Sequence, residues 1–519
     1  MLLSSQLSPP SSSLTTYHNY VHHHYNHLCL LLQLSDGNKE IKQAANNALA
    51  DFLREIKEAE VVEFGPMVTI LVNQCHQKEK ANRYTAILWV TEFISLGGTH
   101  LLLYYAGILG SIIHCIPDSA IEIANAAKTA NSGLMNLVKS TTVPFELQEI
   151  IQILTAELLS EYQTTRIACL HWIYMLHEKD PVEMNKYITD LLPALLKTVS
   201  DTSDEVVLMN LQVLARISLD EVQFHRVLNS LVQLFLEYRP LLETRGALVI
   251  RKLCSLLDSS RIYMTLANIL NEKRDLEFVS LMVQTLNLIL LTAPELVPLR
   301  RSLKQSFQST ATEQDHTIFN TLFMCWTHNA VATFSLCLLA QAYKLSSALI
   351  FKFAEVDVTV GFLMQIDKLV QLIESPVFIQ LRLHLLETSS SSHADLLKSL
   401  YGLLMLLPQS QAYKTLSERL TTVSSLHMHI GLTINNSSNG RIASNASKAS
   451  FEVLNTKRIE ERTAAEHEML LNQFEKTQER HSDLRLTIST QNNLNLTLNN
   501  STSVVTINSS ENRSSPKFI

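Results

Sequence analysis

The sequence predicts an all-α protein: a HEAT/armadillo-like α-solenoid, then a less regular C-terminal helical block, then a disordered tail. Three observations lead to this prediction. The chain has only 12 glycines and 13 prolines among 519 residues, which is few for a protein of strands and tight turns. A phrase of Asp, three residues, Glu, and Ile or Val recurs at Asp36, Asp118 and Asp201. Each copy precedes about four turns of helix-like apolar periodicity.

The repeat has a regular length. When each second helix is aligned on the residue after its opening Glu or Arg, successive marks lie 43, 39, 44, 39 and 40 residues apart. These intervals are close to the roughly 40–47 residues of HEAT and armadillo repeats. The aligned positions are Ile41, Tyr84, Ile123, Ile167, Val206 and Gly246.

The recurring phrase is interpreted as a helix-start signal. Ser119–Glu122 and Thr202–Glu205 fit a capping box, in which the hydroxyl accepts a free helix N–H and the Glu reaches back to another. Gly37 holds the same place before Glu40, and glycine is tolerated as an N-cap. The recurrence at repeat spacing therefore favours capping over catalysis by paired carboxylates.

The helices after these starts are predicted to be packed on several sides. Val207, Leu211 and Leu214 fall on one face of a helix, and the helix before it has a similar stripe. Trp89 and Trp172 stand in matching places, five residues beyond the repeat mark, and are predicted core anchors. Two such helices form one repeat, and repeats stack because none can bury its faces alone.

Composition changes divide the chain into four parts. They are a low-complexity leader at 1–34, disordered to about residue 27; HEAT-like repeats at 35–305; a helical assembly and partner-binding region at 306–422; and a mostly disordered Asn/Ser/Thr-rich tail at 423–519 with a helix near 457–486. The leader carries histidines at 22, 23, 24 and 27, which either hold a metal or belong to an unstructured leader or a wrongly predicted start.

The sequence contains no signature of catalysis. It has no phosphate-binding glycine loop, no HExxH, no GxSxG and no kinase motif, so we expect no enzyme activity, no cofactor and no metal site. The formal net charge of −7 argues against a nucleic-acid surface. Seven cysteines without a CxxC pair indicate buried thiols in a reducing compartment. No stretch is predicted to span a membrane, and no signal peptide is predicted.

The segment between residues 325 and 385 differs from the other predicted repeats, because Trp, His and charged residues stand among its aliphatic helices. Two interpretations are open: a buried helical hairpin with a satisfied histidine, or a docking surface anchored by aromatic and basic side chains. The candidate partner-binding residues are Trp326, His328, Asp367, Lys368, Arg382 and Tyr401.

The segment "HNAVATFSLCLLAQAYKLSSALIFKFAEVDVTVGFLMQIDKLVQLIESPVFIQLRLHLLE", from His328, resembles the C-terminal part of the vacuole morphology protein 14 (ArPIKfyve) family, as does "SLYGLLMLLPQSQAYKTLSERL" from Ser399. "LLKTVSDTSDEVVLMNLQVLARIS" and "DLEFVSLMVQTLNLILLT" are similar to the preceding repeats of that family, and "LLNQFEKTQERH" to a short helix near its end. The resemblance covers roughly residues 35–480, and family members carry several more N-terminal repeats than this chain.

The resemblance implies a non-catalytic HEAT-repeat scaffold. Such a scaffold self-associates and gathers the lipid kinase PIKfyve and a Sac-domain phosphoinositide 5-phosphatase on the cytoplasmic face of endosomal and vacuolar or lysosomal membranes. It thereby controls phosphatidylinositol 3,5-bisphosphate, and membrane contact is peripheral, through partners. Carried over, the resemblance makes 318–422 the assembly region, which holds the phosphatase.

The alternative function is a generic HEAT/armadillo adaptor for transport or for a phosphatase complex. That hypothesis needs a repeated Trp/Asn or acidic ladder along the inner helices. Trp89 and Trp172 are too few for such a ladder, and no Asn is expected to accompany them in register.

Overall fold

The structure is a computed structural model that describes residues 38–58, 62–143, 146–308, 311–356, 358–388, 390–435, 464–487 and 490. Every regular element in these ranges is helical, and no strand occurs among them. The leader histidines, Gly37, Cys29 and most of the predicted tail lie outside the described residues. The chain divides into two compact units, at residues 1–231 and 232–519.

The first unit consists of helix pairs with the predicted period. Its helices are α1 (Lys39–Glu58), α2 (Phe64–Cys75), α3 (Lys80–Gly97), α4 (Tyr105–Cys115), α5 (Ile121–Ser140), α6 (Gln148–Glu157), α7 (Gln163–Lys179), α8 (Pro181–Asn185), α9 (Ile188–Thr198) and α10 (Asp204–Ile217), followed by α11 (Glu221–Glu237), which contains the boundary. The first five repeat marks fall in α1, α3, α5, α7 and α10, and the last four of these are the second helices of their pairs.

The apolar stripes form the core, as predicted. Val207, Leu211 and Leu214 have no solvent exposure, and α10 packs on α7 of the preceding pair. Trp172 is fully buried and Trp89 nearly so, which confirms both as core anchors. Burying a side chain of this size stabilises the fold by roughly 1.5–3 kcal/mol, so the stacked stripes are the main source of stability.

The capping-box prediction is wrong. Helix α5 begins at Ile121 after an Ala120 N-cap, and α10 begins at Asp204 after a Ser203 N-cap, and neither cap makes a side-chain hydrogen bond to its helix. The motif aspartate, rather than the hydroxyl, accepts a backbone N–H near the helix start. The carboxylate of Asp118 accepts the backbone N–H of Ala120 at 2.9 Å.

The motif aspartates Asp118 and Asp201 each also bind an arginine from the preceding repeat. Arg83 Nε donates to Asp118 Oδ2 at 2.7 Å, and Arg166 Nη2 donates to Asp201 Oδ1 at 3.0 Å. Both pairs are 35 residues apart in sequence and mostly buried. In the second unit, Arg239 Nη2 donates to Asp275 Oδ2 at 2.7 Å across 36 residues. The recurring acidic phrase is therefore a bridge between successive repeats.

The same arginines close the loops between the helices of their repeats. Arg83 Nη1 donates to the carbonyls of Gln77 and Lys78 at 3.0 and 2.6 Å. Arg166 makes the equivalent pair of bonds to the loop before α7, at 2.8 and 2.9 Å. Burial works to raise the pKa of Asp118, but the bonds from Arg83 and from the Ala120 N–H outweigh it and hold that pKa below its ordinary value.

One apolar stretch that sequence inspection did not single out, Lys80–Cys115, is long enough by length and composition to cross a membrane. In the structure it is not one continuous α-helix. It breaks at Gly98, which has a positive φ of 48°, and a 3₁₀ segment runs from there to Tyr104. Phe93 in α3 and Ile112 in α4 are buried against neighbouring helices, so we interpret the stretch as core.

Six of the seven cysteines lie in the described part of the chain, and all six are buried free thiols, as the cysteine pattern predicts. Burial raises the pKa of Cys169, Cys254 and Cys325, so these thiols stay protonated. They act as small apolar core residues rather than as nucleophiles or metal ligands.

The second unit continues the helix pairs and then becomes less regular. Its helices are α12 (Arg239–Leu241), α13 (Ala247–Leu256), α14 (Ser259–Asn271), α15 (Leu276–Thr292), α16 (Val297–Gln305), α17 (Glu313–Trp326), α18 (Ala330–Leu339), α19 (Tyr343–Lys352), α20 (Val360–Ile373), α21 (Ile379–His384), α22 (His393–Leu406), α23 (Gln411–Asn435) and α24 (464–487). A true capping box does occur here, at the start of α17, where Thr312 and Asp315 bond reciprocally.

We expect Asp118→Asn to lower the free energy of unfolding by about 1–3 kcal/mol, because it leaves the mostly buried guanidinium of Arg83 without its charged partner. The matched control is Glu122→Gln. Glu122 pairs with Lys80 at 3.1 Å, but both side chains are more than 60% exposed, so its loss should have little effect on stability. Urea titration of both variants measures the difference, and equal losses would contradict the bridging role.

Candidate partner-binding site

An apolar groove runs between three helices of the second unit, α15, α18 and α20. Its volume is about 410 Å³, which is within the range of roughly 300–1,000 Å³ seen for binding pockets. Most of its surface is aliphatic, contributed by Leu291, Val331, Leu369 and Leu372 among others. The groove is open to solvent, so it can accept side chains of another molecule.

A buried tryptophan positions the polar floor of the groove. Trp326 has no solvent exposure, and its indole N–H donates to Asn287 Oδ1 at 3.2 Å. Ser335 Oγ donates to the same oxygen at 2.9 Å. Asn287 lines the groove, and its carbonyl oxygen is occupied by these two bonds, so its amide nitrogen is the group it can offer to a ligand.

Exposed apolar side chains and one cation form the rim. Leu288 is 44% exposed and Met364 is 68% exposed, high values for large apolar residues at the edge of a cavity. Lys368 is exposed and is the only charged side chain among the described residues that line the groove. An apolar centre with a polar, charged edge is typical of protein interfaces.

The structure brings one of the six predicted residues, Lys368, to this rim. Lys368 lines the groove, and the neighbouring Asp367 faces the start of α23, where it accepts a hydrogen bond from Ser410 Oγ at 2.8 Å. Trp326 is buried below the groove and contributes only by holding Asn287, which lines it. The role of these residues in partner binding stays a prediction.

Arg382 and Tyr401 lie outside the groove. Arg382 is half-buried, and its Nη1 donates to the carbonyls of Ile373 and Ser375 at 2.5 and 2.7 Å, which closes the end of α20. Tyr401 is 41% exposed on α22, with its hydroxyl 3.2 Å from Ser424 Oγ. Arg382 is thus engaged within the chain, whereas the Tyr401 ring is accessible.

His328 lies under helix α24, a contact that sequence analysis missed. Its Nδ1 is 3.0 Å from Nε2 of His481, which is 153 residues later in the chain. The predicted helix near 457–486 corresponds to α24 at 464–487, but nothing in the local pattern indicated where it packs. Its buried residues Leu470 and Phe474, four apart on one helical face, are the signal that could have indicated docking.

Helix α24 packs on a surface that includes Asn320, Thr327 and Lys352, which we call the α24 seat, and many of its contacts there are polar. Asn320 Nδ2 donates to Glu466 Oε1 at 2.7 Å, and Gln478 Nε2 donates to the carbonyl of Thr327 at 2.6 Å. Lys352 Nζ pairs with Glu475 at 2.8 Å. Only three α24 side chains are fully buried, so the helix is held by a modest apolar area together with these bonds.

Burial also determines the protonation of the seat. Desolvation, followed by the neighbouring His481 and Arg480, lowers the pKa of His328 to about 4. Desolvation, with Arg485 and Arg480, lowers the pKa of His481 to about 4 as well. Both rings are therefore neutral at physiological pH, and one of the two facing nitrogens donates to the other.

Two protein-family models match parts of the chain. Residues 239–423 match the model described as "Vacuolar protein 14 C-terminal Fig4p binding", and this range contains the groove. Residues 42–209 match the model described as "EF3 N-terminal HEAT repeat", which supports the HEAT-type prediction for the first unit.

Named relatives match over most of the chain. It is 43% identical over 412 residues to "Protein VAC14 homolog" of Arabidopsis thaliana, covering 79% of this chain and 55% of that protein. It is 34% identical over 399 residues to "Protein VAC14 homolog" of Schizosaccharomyces pombe, with coverage of 74% and 48%. The "Vacuole morphology and inheritance protein 14" of Saccharomyces cerevisiae is 30% identical over 370 residues, with coverage of 70% and 41%.

The chain belongs to the VAC14 family. It spans about half the length of the VAC14 proteins that it matches. The family resemblance read from the sequence is thereby confirmed, as is the all-α, HEAT-type fold class. Most of the disorder predicted for the tail falls on residues outside the described ranges, but helix α23 continues to Asn435, so the start of the predicted tail at 423–435 is helical.

We expect α24 to leave its seat as pH falls. Both histidines have a pKa depressed from 6.5 to about 4 in the docked state, so the undocked state of the chain binds more protons. Docking is at full strength above about pH 6.5 and weakens progressively toward pH 4, by up to about tenfold per histidine per pH unit. Hydrogen exchange of residues 464–487, corrected for the intrinsic pH dependence of exchange, measures the change.

The control for this experiment is His481→Gln, which retains a hydrogen-bonding side chain but does not titrate. Its α24 should lose protection less steeply as pH falls. Protection that is constant from about pH 7 to about pH 5 in the unmodified chain would contradict the expected titration.

Proposed function

We propose that this protein is a non-catalytic scaffold that holds a Sac-domain phosphoinositide phosphatase of the Fig4p type through its second unit. The single observation that supports this most is the coincidence of the groove with the residues matched by the Fig4p-binding model. The exposed rim residues Leu288 and Met364 provide the apolar contact, and Lys368 provides a charge that an acidic partner residue can pair with.

The second partner in this proposal is a PIKfyve-type lipid kinase, as the family resemblance implies. A scaffold that binds kinase and phosphatase together raises the effective concentration of each near the other without any chemistry of its own. Synthesis and turnover of phosphatidylinositol 3,5-bisphosphate would then be controlled at one place. We place the protein at the cytoplasmic face of endosomal and vacuolar membranes, attached through its partners.

The alternative, a peptide-binding adaptor, is supported less well. Contrary to the expectation from sequence, each of two tryptophans does pair with an asparagine about one repeat earlier: Trp172 with Asn131 at 2.7 Å and Trp326 with Asn287 at 3.2 Å. Both indoles are fully buried, however, so these pairs stabilise the stacking of repeats and present no ladder to an extended peptide.

We expect the double variant Leu288→Asp, Met364→Asp to reduce co-precipitation of the phosphatase at least about tenfold. Both side chains are exposed in the free chain, so folding is preserved, whereas a bound partner would bury two unpaired carboxylates. Val182→Asp is the control, because Val182 is 77% exposed and lies outside residues 239–423, the range matched by the Fig4p-binding model. Equal recovery from the double variant and the control would reject the groove as the docking site.

Self-association is proposed to depend on residues 318–422. Light scattering of the full chain, compared with a version that ends near residue 305, tests this dependence. We expect the full chain to form oligomers and the shortened chain to have the mass of a monomer. Oligomers of undiminished mass in the shortened chain would assign self-association to the first unit or to the remaining helices.

A further inference from the structure

A second cleft in the second unit, distinct in its residues from the groove, is lined by cations and amides. It has a volume of about 560 Å³ and lies between α16 and the segment that includes α21. Its basic side chains are Arg300, Arg301, Lys304 and His384. No carboxylate occurs among the described residues that line it, although the whole chain has a net charge of −7.

The cations of this cleft are held in place by neutral groups. Arg300 Nη1 donates to the carbonyls of Leu290 and Ala293 at 2.8 and 2.7 Å. Lys304 Nζ donates to the carbonyl of Val377 at 3.0 Å. Carbonyl bonds orient the two side chains but do not neutralise them. The positive charge of the cleft therefore remains available to a ligand.

The acidic group that interacts with Arg300 is Glu295, and it is engaged in another ion pair. Glu295 lies close enough to Arg300 to interact through space, but it forms an ion pair with Arg251 at 3.0 Å and does not line the cleft. Burial first, and then the charge of Arg300, lower the pKa of Lys304. Two cations that disfavour each other's charge, without a shared carboxylate, form an arrangement that a bound anion would relieve.

A strained glutamine adds an independent observation. Gln341 has a φ of 64°, and it is the only non-glycine residue in the described part of the chain with a positive φ. It follows the end of α18, at the place where the chain makes the hydrogen-bond pattern of a helix C-terminus that usually carries glycine. Gln341 nevertheless lines the cleft, so a position that glycine would occupy without strain supplies an amide there.

We propose that this cleft binds the phosphate groups of a small, multiply phosphorylated ligand, either a free sugar or cyclitol phosphate or the same headgroup on a lipid. Guanidinium and ammonium groups with several amide donors suit phosphate oxygens, which accept many hydrogen bonds at once. The cleft volume matches a single small headgroup. The proposal goes beyond phosphatase docking and uses none of the residues of the groove.

Calorimetric titration of the full chain with inositol 1,4,5-trisphosphate tests the proposal. Arg301→Gln and Lys304→Gln should each weaken binding about tenfold or more, the usual effect of losing a charge-assisted contact. Arg301 is the cleaner site, because it is exposed and makes no hydrogen bond or ion pair within the described ranges. Arg274→Gln is the control, because Arg274 is an exposed cation outside the cleft and should leave the affinity unchanged.

Gln341→Gly separates a binding role from a structural one. Glycine adopts the observed φ without strain, so the thermal midpoint should stay the same or rise, while the affinity for the trisphosphate should fall. A raised midpoint with unchanged affinity would remove Gln341 from the site. Because the affinity is expected to fall without a fall in the thermal midpoint, a folding defect cannot imitate the predicted result.

Vesicle co-sedimentation distinguishes the two sources of the ligand. Binding to phosphatidylcholine vesicles that carry phosphatidylinositol 4,5-bisphosphate, but not to phosphatidylserine vesicles of equal charge, supports a lipid headgroup. Binding to the free trisphosphate alone supports a soluble ligand. Absence of binding to any phosphate probe, equal binding to polyglutamate or phosphatidylserine, or equal binding by the double variant Arg301→Gln, Lys304→Gln would overturn the proposal.

Discussion

The structure depends on the fact that a single pair of amphipathic helices cannot bury both of its apolar faces. Each pair covers the next, so stability is shared between neighbours and the register between them must be defined. Mostly buried ion pairs such as Arg83–Asp118 and Arg166–Asp201 define that register, since each joins a helix to the loop of the following repeat. Because these pairs also tie down backbone carbonyls and an N–H, they orient the turns as well as the helices.

The period and the apolar stripes could be predicted from sequence because both are local. The burial of Leu211 and Trp172 can be predicted from helical spacing and repeat position alone. The role of Asp118 and Asp201 could not be predicted in this way. An aspartate just before a helix with a Glu four residues later fits a cap and a bridge equally well, and its arginine is 35 residues away. The long-range partner decides between the two, and only the fold brings it near.

In the candidate site, too, local features could be predicted from sequence and long-range contacts could not. Lys368 was predicted on the basis of its type and neighbours, and the structure places it at the rim of the groove. Trp326 was expected as a surface anchor or a core residue, and it is core, acting on the groove through Asn287. The packing of His328 against His481 was beyond sequence reasoning because 153 residues separate the partners. The spacing of Leu470 and Phe474 indicates that the helix has an apolar face, but it does not identify the residues that the face packs against.

The most direct test of the scaffold account is hydrogen–deuterium exchange of the full chain with and without the purified Sac-domain phosphatase. The account predicts new protection in the three helices that form the groove, Leu276–Thr292, Ala330–Leu339 and Val360–Ile373. It also predicts no change in the helices before residue 231. Protection confined to those earlier helices, or no protection at saturating phosphatase, would contradict it.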